Sequence, residues 1–424
     1  MIYSPRGVED ILPSKTPLYQ WVEKQAERLF QLYGFEEIRT PIFEKTELFL
    51  RTVGQETDVG KQMYTFKDKR GRSLSLRPEA TASIARAYLE HKLNSKRGEW
   101  RVYYMGPMFR YERPQAHRLR EFRQIGVEVI GQESPWLDVE IIEMAFQLLR
   151  KLGIASFDLH LNYLGCQKCR KRYVEELKQY FSSKVQYLCS VCQQRYQTNL
   201  LRILDCKKAQ CRQVTEKAPE IITYLCPDCQ EKFSRLQEGL TFMKIPFILD
   251  HQLVRGLDYY TRTIFEITST QLGAQDAICG GGRYDDLIEE LGGPSTPAIG
   301  FSLGVERLLA TLNNPDTERQ MRVRPLLYIA TVGEEAKKVG IHLVTLGRSL
   351  GMRASLNLYS KGLSWQLKSA HRAGASWVVM VGEDEIRRGE YILRDMYSGE
   401  QKQVTESELE GIMRDLGQER KVKS

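Results

Sequence analysis

Residues 109–128, FRYERPQAHRLREFRQIGVE, decide the fold. The apolar-rich run 102–109 enters this stretch. Residues 122–130 leave it with alternating side chains: Phe122, Gln124, Gly126 and Glu128 on one face, Arg123, Ile125, Val127 and Val129 on the other. That period of two predicts a pair of antiparallel strands. Between them lie Arg110, Arg113, Arg118 and Arg120, with Glu112 and Glu121 interspersed. A guanidinium fork holds a phosphate through two parallel N–H···O bonds, which a lysine cannot copy. Several forks at one end of a sheet would make a surface for phosphate or nucleic acid. The plainer reading is a solvated charged loop, and the rest of the chain decides between the two.

Upstream, Leu18, Val22, Ala26, Leu29, Phe30 and Tyr33 recur at three- and four-residue steps, so residues 16–33 read as a helix with one buried face. Thr16 is its expected cap and Gly34 its end. FEEIRTPIFE reads as a strand interrupted at Pro41, which belongs at an edge, a kink or an interface because proline cannot donate to a ladder. Residues 68–71, DKRG, are a turn between the strands QMYTF and SLSLR. Pro78 is expected to start the next helix, where its missing N–H costs nothing. Glu79 and Thr81 then fall at a strand-to-helix corner, where side chains often face a site. Glu79 could equally do no more than complement the helix dipole.

Downstream, residues 134–152 form a helix and FDLHLNYL a strand, and then the composition changes. Eight of the nine cysteines fall between residues 166 and 229, as Cys166-x2-Cys169, Cys189-x2-Cys192, Cys206-x4-Cys211 and Cys226-x2-Cys229. Each close pair can supply two thiolates, and two pairs complete a tetrahedral site for zinc. The expected pairing is Cys166/Cys169 with Cys226/Cys229, which bracket the segment, and Cys189/Cys192 with Cys206/Cys211. Unligated thiols, a single zinc or an iron–sulfur cluster are the alternatives. Residues 163–244 carry 15 Lys+Arg against 8 Asp+Glu. They could touch nucleic acid, or serve as an insert in which zinc replaces a core too small to fold alone.

After the insert, PFILDHQLVRGLDYYTRTIFEITS reads as strand–turn–strand with Arg255, Tyr259 and Tyr260 at the turn. The arginine could simply stack on the tyrosines. AQDAICGGGRYDDLIEELGG gives a strand, then Gly280, Gly281 and Gly282, then a helix near Tyr284. Consecutive glycines let a ligand approach the backbone, but no GxGxxG is present and no dinucleotide fingerprint is implied. AIGFSLGVERLLATL is a strand entering a helix, with Glu306 and Arg307 near its start. Residues 312–325 are a polar linker with proline near both ends. Beyond it, strands alternate with helices, which predicts a separate α/β domain with a mainly parallel sheet.

The 424 residues allow several domains, and 42% apolar with 27% charged residues supports a sizeable core. A net charge of +8 suits an acidic partner such as nucleic acid as well as many neutral-ligand enzymes. The first residues hold no apolar core of signal-peptide length, and no run approaches the roughly 20 apolar residues of a membrane span. The expected compartment is the cytoplasm, with cysteines as thiols or metal ligands rather than disulfides.

Taken together these motifs resemble the histidyl-tRNA synthetases of bacterial type, which are class II aminoacyl-tRNA synthetases. The three class motifs stand in order: the helix and strand ending at Pro41, FRYERPQ…REF, and GFSLGVERLL. LVRGLDYYTRTIFE and CGGGRYDDL resemble the histidine-specific signatures, and KGLSWQLKSAHRAGASWVVMVGEDE resembles the family's anticodon-binding domain. The resemblance covers nearly the whole chain. It implies an α+β catalytic domain whose antiparallel sheet is flanked by helices (residues 1–162 and 245–316), a cysteine-rich insertion (163–244) and a C-terminal α/β anticodon-binding domain (326–424). It also implies a homodimer formed through the first motif.

The implied reaction joins L-histidine to ATP, supplied with Mg2+, as histidyl-adenylate, and then to tRNA(His). Arg110 is expected at the α-phosphate and Arg255 between it and the substrate carboxylate. Arg307 is expected at the far phosphates, with Arg118 and Glu112 on the ATP side. Glu79, Thr81 and Gln124 are expected at the α-amino group; Glu128 and Tyr260, with Tyr259 nearby, at the imidazole; Gln115 and Arg120 at the acceptor end of the tRNA. His117, Arg123 and Ala80 depart from the family's usual glycine, histidine and glycine. A histidine-binding regulatory paralogue of a histidine-biosynthetic phosphoribosyltransferase is the alternative, but such proteins usually lack the C-terminal domain and the ATP-contacting arginines. A zinc-dependent nucleic-acid-binding module without catalysis is a third reading.

Overall fold

Strand β1 (Glu36–Glu37) lies at the edge of a large sheet, and β2 (Phe43–Lys45), β3 (Thr65–Lys67) and β4 (Ser73–Leu76) form a separate small one in the order β2-β4-β3. The strand expected to be interrupted at Pro41 is two strands in two sheets, with the proline at the crossing. Arg77 ties that crossing down, donating from Nη1 to the Thr40 carbonyl and from Nε to the Pro107 carbonyl, each at 2.9 Å. The computed structural model describes residues 2–54, 57–93, 98–112, 118–154, 156–272, 277–312, 326–358 and 361–418. It divides into two compact units, Met1–Asp316 and Thr317–Ser424.

In the first unit β5 (Trp100–Phe109) and β6 (Glu121–Ile130) pair antiparallel over their full lengths, from Trp100 opposite Ile130 to Phe109 opposite Glu121. With β7 (Asp158–Tyr163), β8 (Ile248–Leu249), β9 (Thr261–Thr268), β10 (Ala277–Arg283) and β11 (Ala298–Gly304) they complete an eight-stranded sheet, β1-β5-β6-β11-β10-β9-β7-β8. The sheet is antiparallel at its centre, whereas β1 runs parallel to β5 and β8 parallel to β7 at the two edges. Ile125, Val127 and Val129 enter the main core with Ile141, Ile142 and Leu149 of the helix Pro135–Lys151 and Phe30 of the helix Thr16–Leu32. The opposite face of β6, with Gln124 and Glu128, is also buried. Period two here separates core from cavity, not core from solvent.

Ser134 caps the helix Pro135–Lys151, accepting from the Trp136 N–H at 3.2 Å. Thr16 does not cap its helix: its hydroxyl donates backwards to the Leu12 carbonyl at 3.1 Å. Pro78 precedes its helix, Thr81–Glu90, by three residues. The three glycines lie inside β10, ahead of the helix Leu287–Glu290. β8 pairs with β7, so it is not the hairpin partner of β9.

The cysteine-rich insert is helical, with Gln167–Ser182, Ser190–Thr198, Ala209–Thr215 and Pro227–Phe242. Its last helix lies against Pro135–Lys151 so closely that a side chain at Gly239 would meet Val139 and Trp136.

The second unit is a five-stranded sheet in the order β13-β12-β14-β15-β16, from β12 (Leu326–Thr331), β13 (Arg353–Leu356), β14 (Ala375–Val381), β15 (Glu390–Asp395) and β16 (Gln401–Thr405). The helical crossovers Glu334–Ser349 and Leu363–Arg372 make β13, β12 and β14 parallel. β15 and β16 add antiparallel pairs, so the sheet is mixed where a mainly parallel one was expected. The reason is connection length, since a tight turn after Asp395 can join only antiparallel strands. Residues 313–325, the expected linker, lie outside the described residues. Among the described residues no helix is long and apolar enough to cross a membrane.

Candidate active site

Arg110 follows β5, Arg255 precedes β9 and Arg307 lies in the helix Val305–Ala310 that β11 feeds, yet all three line one cavity above the sheet. Arg110 Nε donates to the Pro78 carbonyl at 2.9 Å, and its guanidinium lies 5.1 Å from the Phe122 ring centre. Arg255 is paired with Glu266 of β9, and its buried Nε has no hydrogen-bond partner. Arg307 Nη1 donates to the Ala277 carbonyl at 3.0 Å. Burial pushes the Arg110 pKa down to about 10; Glu79 pulls it up, and the charges of Arg307 and Arg255 push it further down. For Arg255 burial also lowers the pKa, but Glu266 together with Tyr260, Cys279 and Tyr259 outweighs it and the net direction is upward. A buried guanidinium whose protonation is depressed by two neighbouring cations marks a site prepared for a polyanion.

Arg118 forms an ion pair with the buried Glu112, and both line the cavity. Arg120 does not: it stacks 4.0 Å from the Tyr111 ring centre and donates to the carbonyls of Glu112 and Arg6. Gln115, with Arg113 and His117, lies outside the described residues.

Aromatic and acidic groups line the same cavity, and the Arg255 guanidinium lies 5.9 Å from the Tyr260 ring centre. Glu128 accepts from the Thr81 hydroxyl at 2.6 Å and from the Tyr284 hydroxyl at 2.5 Å. Burial raises its pKa to about 8 against those two bonds. Tyr259 and Tyr260 stack with ring centres 4.8 Å apart, and Tyr284 meets Tyr259 edge-on. Gln124 donates to Ser302 at 3.4 Å, while its buried Oε1 has no partner. Glu79 lines the cavity but spends both oxygens on the N–H groups of Thr81 and Ala82, at 2.6 and 3.0 Å. The bland reading of Glu79 as a helix cap thus describes its bonds.

Tyr104 and Tyr284 were not singled out in the sequence, although both line the cavity. Tyr104 faces Gly126 across the β5–β6 pair, and a Cβ at that glycine would lie 2.5 Å from its hydroxyl. An aromatic opposite a glycine in a hairpin was the available signal. The glycines of β10 and β11 act likewise: a Cβ at Gly280 would collide with the Arg255 guanidinium, and one at Gly300 with the Glu128 carboxylate. The smallness of Gly280 and Gly300 thus makes room for the protein's own charged groups, while both also line the cavity.

In the insert the sulfurs of Cys166, Cys169, Cys226 and Cys229 lie within 4.8 Å of one another, and so do those of Cys189, Cys192, Cys206 and Cys211. Backbone N–H groups bond across the pairs, Cys166 to Cys229 Sγ at 3.3 Å, Cys226 to Cys169 Sγ at 3.2 Å and Cys189 to Cys211 Sγ at 3.2 Å. Such bonds stabilise thiolate charge, and each four-sulfur group could hold a metal ion.

Against known proteins, a family model described as Histidyl-tRNA synthetase matches residues 7–308, and one described as Anticodon binding domain matches residues 327–416. A histidine–tRNA ligase of Thermotoga petrophila is 46% identical over 400 residues, 94% of this chain and 95% of that protein. One of Halothermothrix orenii is 45% identical over 404 residues, 95% of this chain and 96% of that protein. The crystal structure of apo S. aureus histidyl-tRNA synthetase superposes with a TM-score of 0.83 at 35% identity, covering 98% of this chain and 100% of that one. A Bacillus halodurans C structure described as an ATP phosphoribosyltransferase regulatory subunit/histidyl-tRNA synthetase has a TM-score of 0.65 at 23% identity, covering 90% of this chain and 98% of that one, a likeness of fold alone. By sequence over nearly its whole length and by fold, the chain belongs to the histidyl-tRNA synthetase family.

Proposed function

We propose that Arg110, Arg255 and Arg307 drive histidine activation in this chain, a class II histidine–tRNA ligase. The ligase attaches histidine to tRNA(His) through a histidyl-adenylate, with release of pyrophosphate and AMP. One observation carries the residue assignment: the three guanidinium groups, from distant segments, line one cavity that also holds Glu128 between Thr81 and Tyr284.

In the first step an oxygen of the histidine carboxylate attacks the α-phosphorus of ATP while the bond to the pyrophosphate oxygen breaks. Charge grows on the α-phosphoryl oxygens, where cations fixed in advance lower the barrier. Arg110 takes that phosphate from one side and Arg255 from the other, with its free Nε available to the carboxylate. Arg307 holds the outer phosphates, helped by Arg118, which Glu112 orients. Mg2+ enters with ATP and neutralises the outgoing pyrophosphate.

Gln124 Oε1 accepts from the α-ammonium, beside Thr81 and Glu79. A neutral imidazole offers one donor and one acceptor. A carboxyl group titrating near pH 8 with phenols around it can meet both. In the second step a hydroxyl of the tRNA terminal adenosine attacks the adenylate carbonyl and AMP leaves. Arg120 and Gln115 contact that end of the tRNA. The regulatory-paralogue reading is not favoured, since the C-terminal domain and all three arginines are present.

We further infer that each four-cysteine group binds one structural zinc, that the enzyme is a homodimer through the segment around Pro41, and that it works in the cytoplasm. Tetrahedral thiolate spacing supports the first. Half-exposed Ile42, Phe43 and Phe66 around the small sheet support the second.

Arg255→Ala tests the residue assignment. Histidine-dependent ATP–pyrophosphate exchange should fall on the order of 100-fold, as loss of one transition-state donor does. Unchanged turnover would remove Arg255 from the reaction.

A further inference from the structure

The insert is bonded to the segment that delivers the two pocket tyrosines, through contacts the chemistry does not use. Arg170, one residue past Cys169, donates from Nη1 to the Tyr260 carbonyl at 2.9 Å. Asn199, between Cys192 and Cys206, donates from Nδ2 to Asp258 Oδ1 at 2.6 Å. The backbone adds two more, Leu164 N–H to the Arg262 carbonyl at 2.6 Å and Arg262 N–H to the Gly165 carbonyl at 3.0 Å. Arg262 sits at φ 46°, which a bulky residue adopts only when its surroundings hold it. Gly165 is at φ +66°, and a Cβ there would lie 2.5 Å from the Cys169 Cβ, so the backbone passes directly against the first cysteine group.

Each clamp is set by one cysteine group. The Arg170 N–H is bonded to the Cys166 carbonyl at 2.9 Å, in the first turn of the helix that Cys166 opens. Asn199 closes the helix Ser190–Thr198, which Cys189 opens and Cys192 belongs to. Tyr259 lies between the two clamped points and Tyr260 is one of them. Arg110 and Arg307 take no part in these bonds, and the ion pair of Arg255 is made to Glu266 on β9.

We propose that Arg170 and Asn199 are positioning residues for the amino-acid pocket, so that the two cysteine groups, by fixing them, set affinity for histidine without setting affinity for ATP. This rests on reading Tyr259 and Tyr260 as walls of the histidine pocket. The insert is then part of the substrate site's scaffold, not an appendage to it.

The experiment is ATP–pyrophosphate exchange on the full chain with Arg170→Gln, Arg170→Lys and Asn199→Ala, together with the histidine-induced rise in melting temperature. Loss of a hydrogen bond from a charged donor predicts a KM for histidine raised on the order of tenfold in Arg170→Gln. The KM for ATP should stay within about twofold, since Arg110 and Arg307 stand outside the clamped segment and Arg255 is held by Glu266. Arg170→Lys, which keeps a charged donor, should recover most of the loss. Asn199→Ala should shift the same constant in the same direction and shrink the histidine-induced melting shift. Histidine constants unchanged in both Arg170→Gln and Asn199→Ala, or both substrates' constants rising together, would overturn the positioning role while wild-type exchange still stands. Absence of histidine-dependent exchange in the wild type would overturn the underlying function and this inference with it.

Discussion

Glu128 shows how one residue's environment sets its role. Burial holds its pKa near 8, while its ordinary value in an unfolded chain is 4.5. Between those pH values the native chain keeps a proton that the unfolded chain has released, so this carboxyl makes stability fall as pH rises through the window. Glu128→Gln keeps the shape and removes the titration. The melting temperature of the histidine-free variant should therefore drop less between about pH 5 and pH 8 than that of the wild type. Equal drops would show that the carboxyl is already ionised at neutral pH.

Arg110, Arg255 and Arg307 were legible as residues because each stands in a motif with few alternatives. Tyr104 and Tyr284 were not, because a tyrosine in a strand or beside a turn usually reports packing. Only the partner it bonds, here Glu128 for Tyr284, reveals a site.

Among the elements, the β5–β6 hairpin was readable from period two alone, whereas the burial of its polar face in a cavity was not, and only the family resemblance put Gln124 and Glu128 at a substrate. The triple glycine was legible as a place of close approach, and in the structure Gly280 makes room for the Arg255 guanidinium. Since a Cβ at Gly280 would strike the Arg255 guanidinium, Gly280→Ala should displace that group. A shift of about 1 Å at a reacting centre costs on the order of 100-fold, so exchange activity should fall by about that factor. Circular dichroism should show the sheet retained. Full activity in Gly280→Ala would mean that Arg255 need not occupy its present place.

The prolines were less informative than they looked. Pro41 marks a change of sheet, and Pro78 only approaches its helix, because sequence shows a proline's restriction but not which neighbour exploits it.

At the scale of the molecule, the change of pattern near residue 316 and the cysteine-rich segment were both plain in the composition. The mixed sheet of the second unit was not, because strand direction depends on connections that an alternation of strands and helices leaves open. The thiol spacing sets an expectation for the intact protein: metal analysis should return close to two zinc ions per chain, one for each four-sulfur group. Stripping them with a chelator should lower the melting temperature, since each four-sulfur group ties together helices of the insert that are distant in sequence. A metal-free protein with an unchanged melting temperature would reduce these cysteines to plain thiols.

The claim on which the account depends is that one cavity brings histidine and ATP together under three guanidinium groups. Exchange of labelled pyrophosphate into ATP by the purified, metal-replete chain tests it most directly, with each proteinogenic amino acid offered in turn. The account predicts exchange with histidine and none above background with the others. Exchange that is absent with histidine, or equally fast with another amino acid, would contradict it.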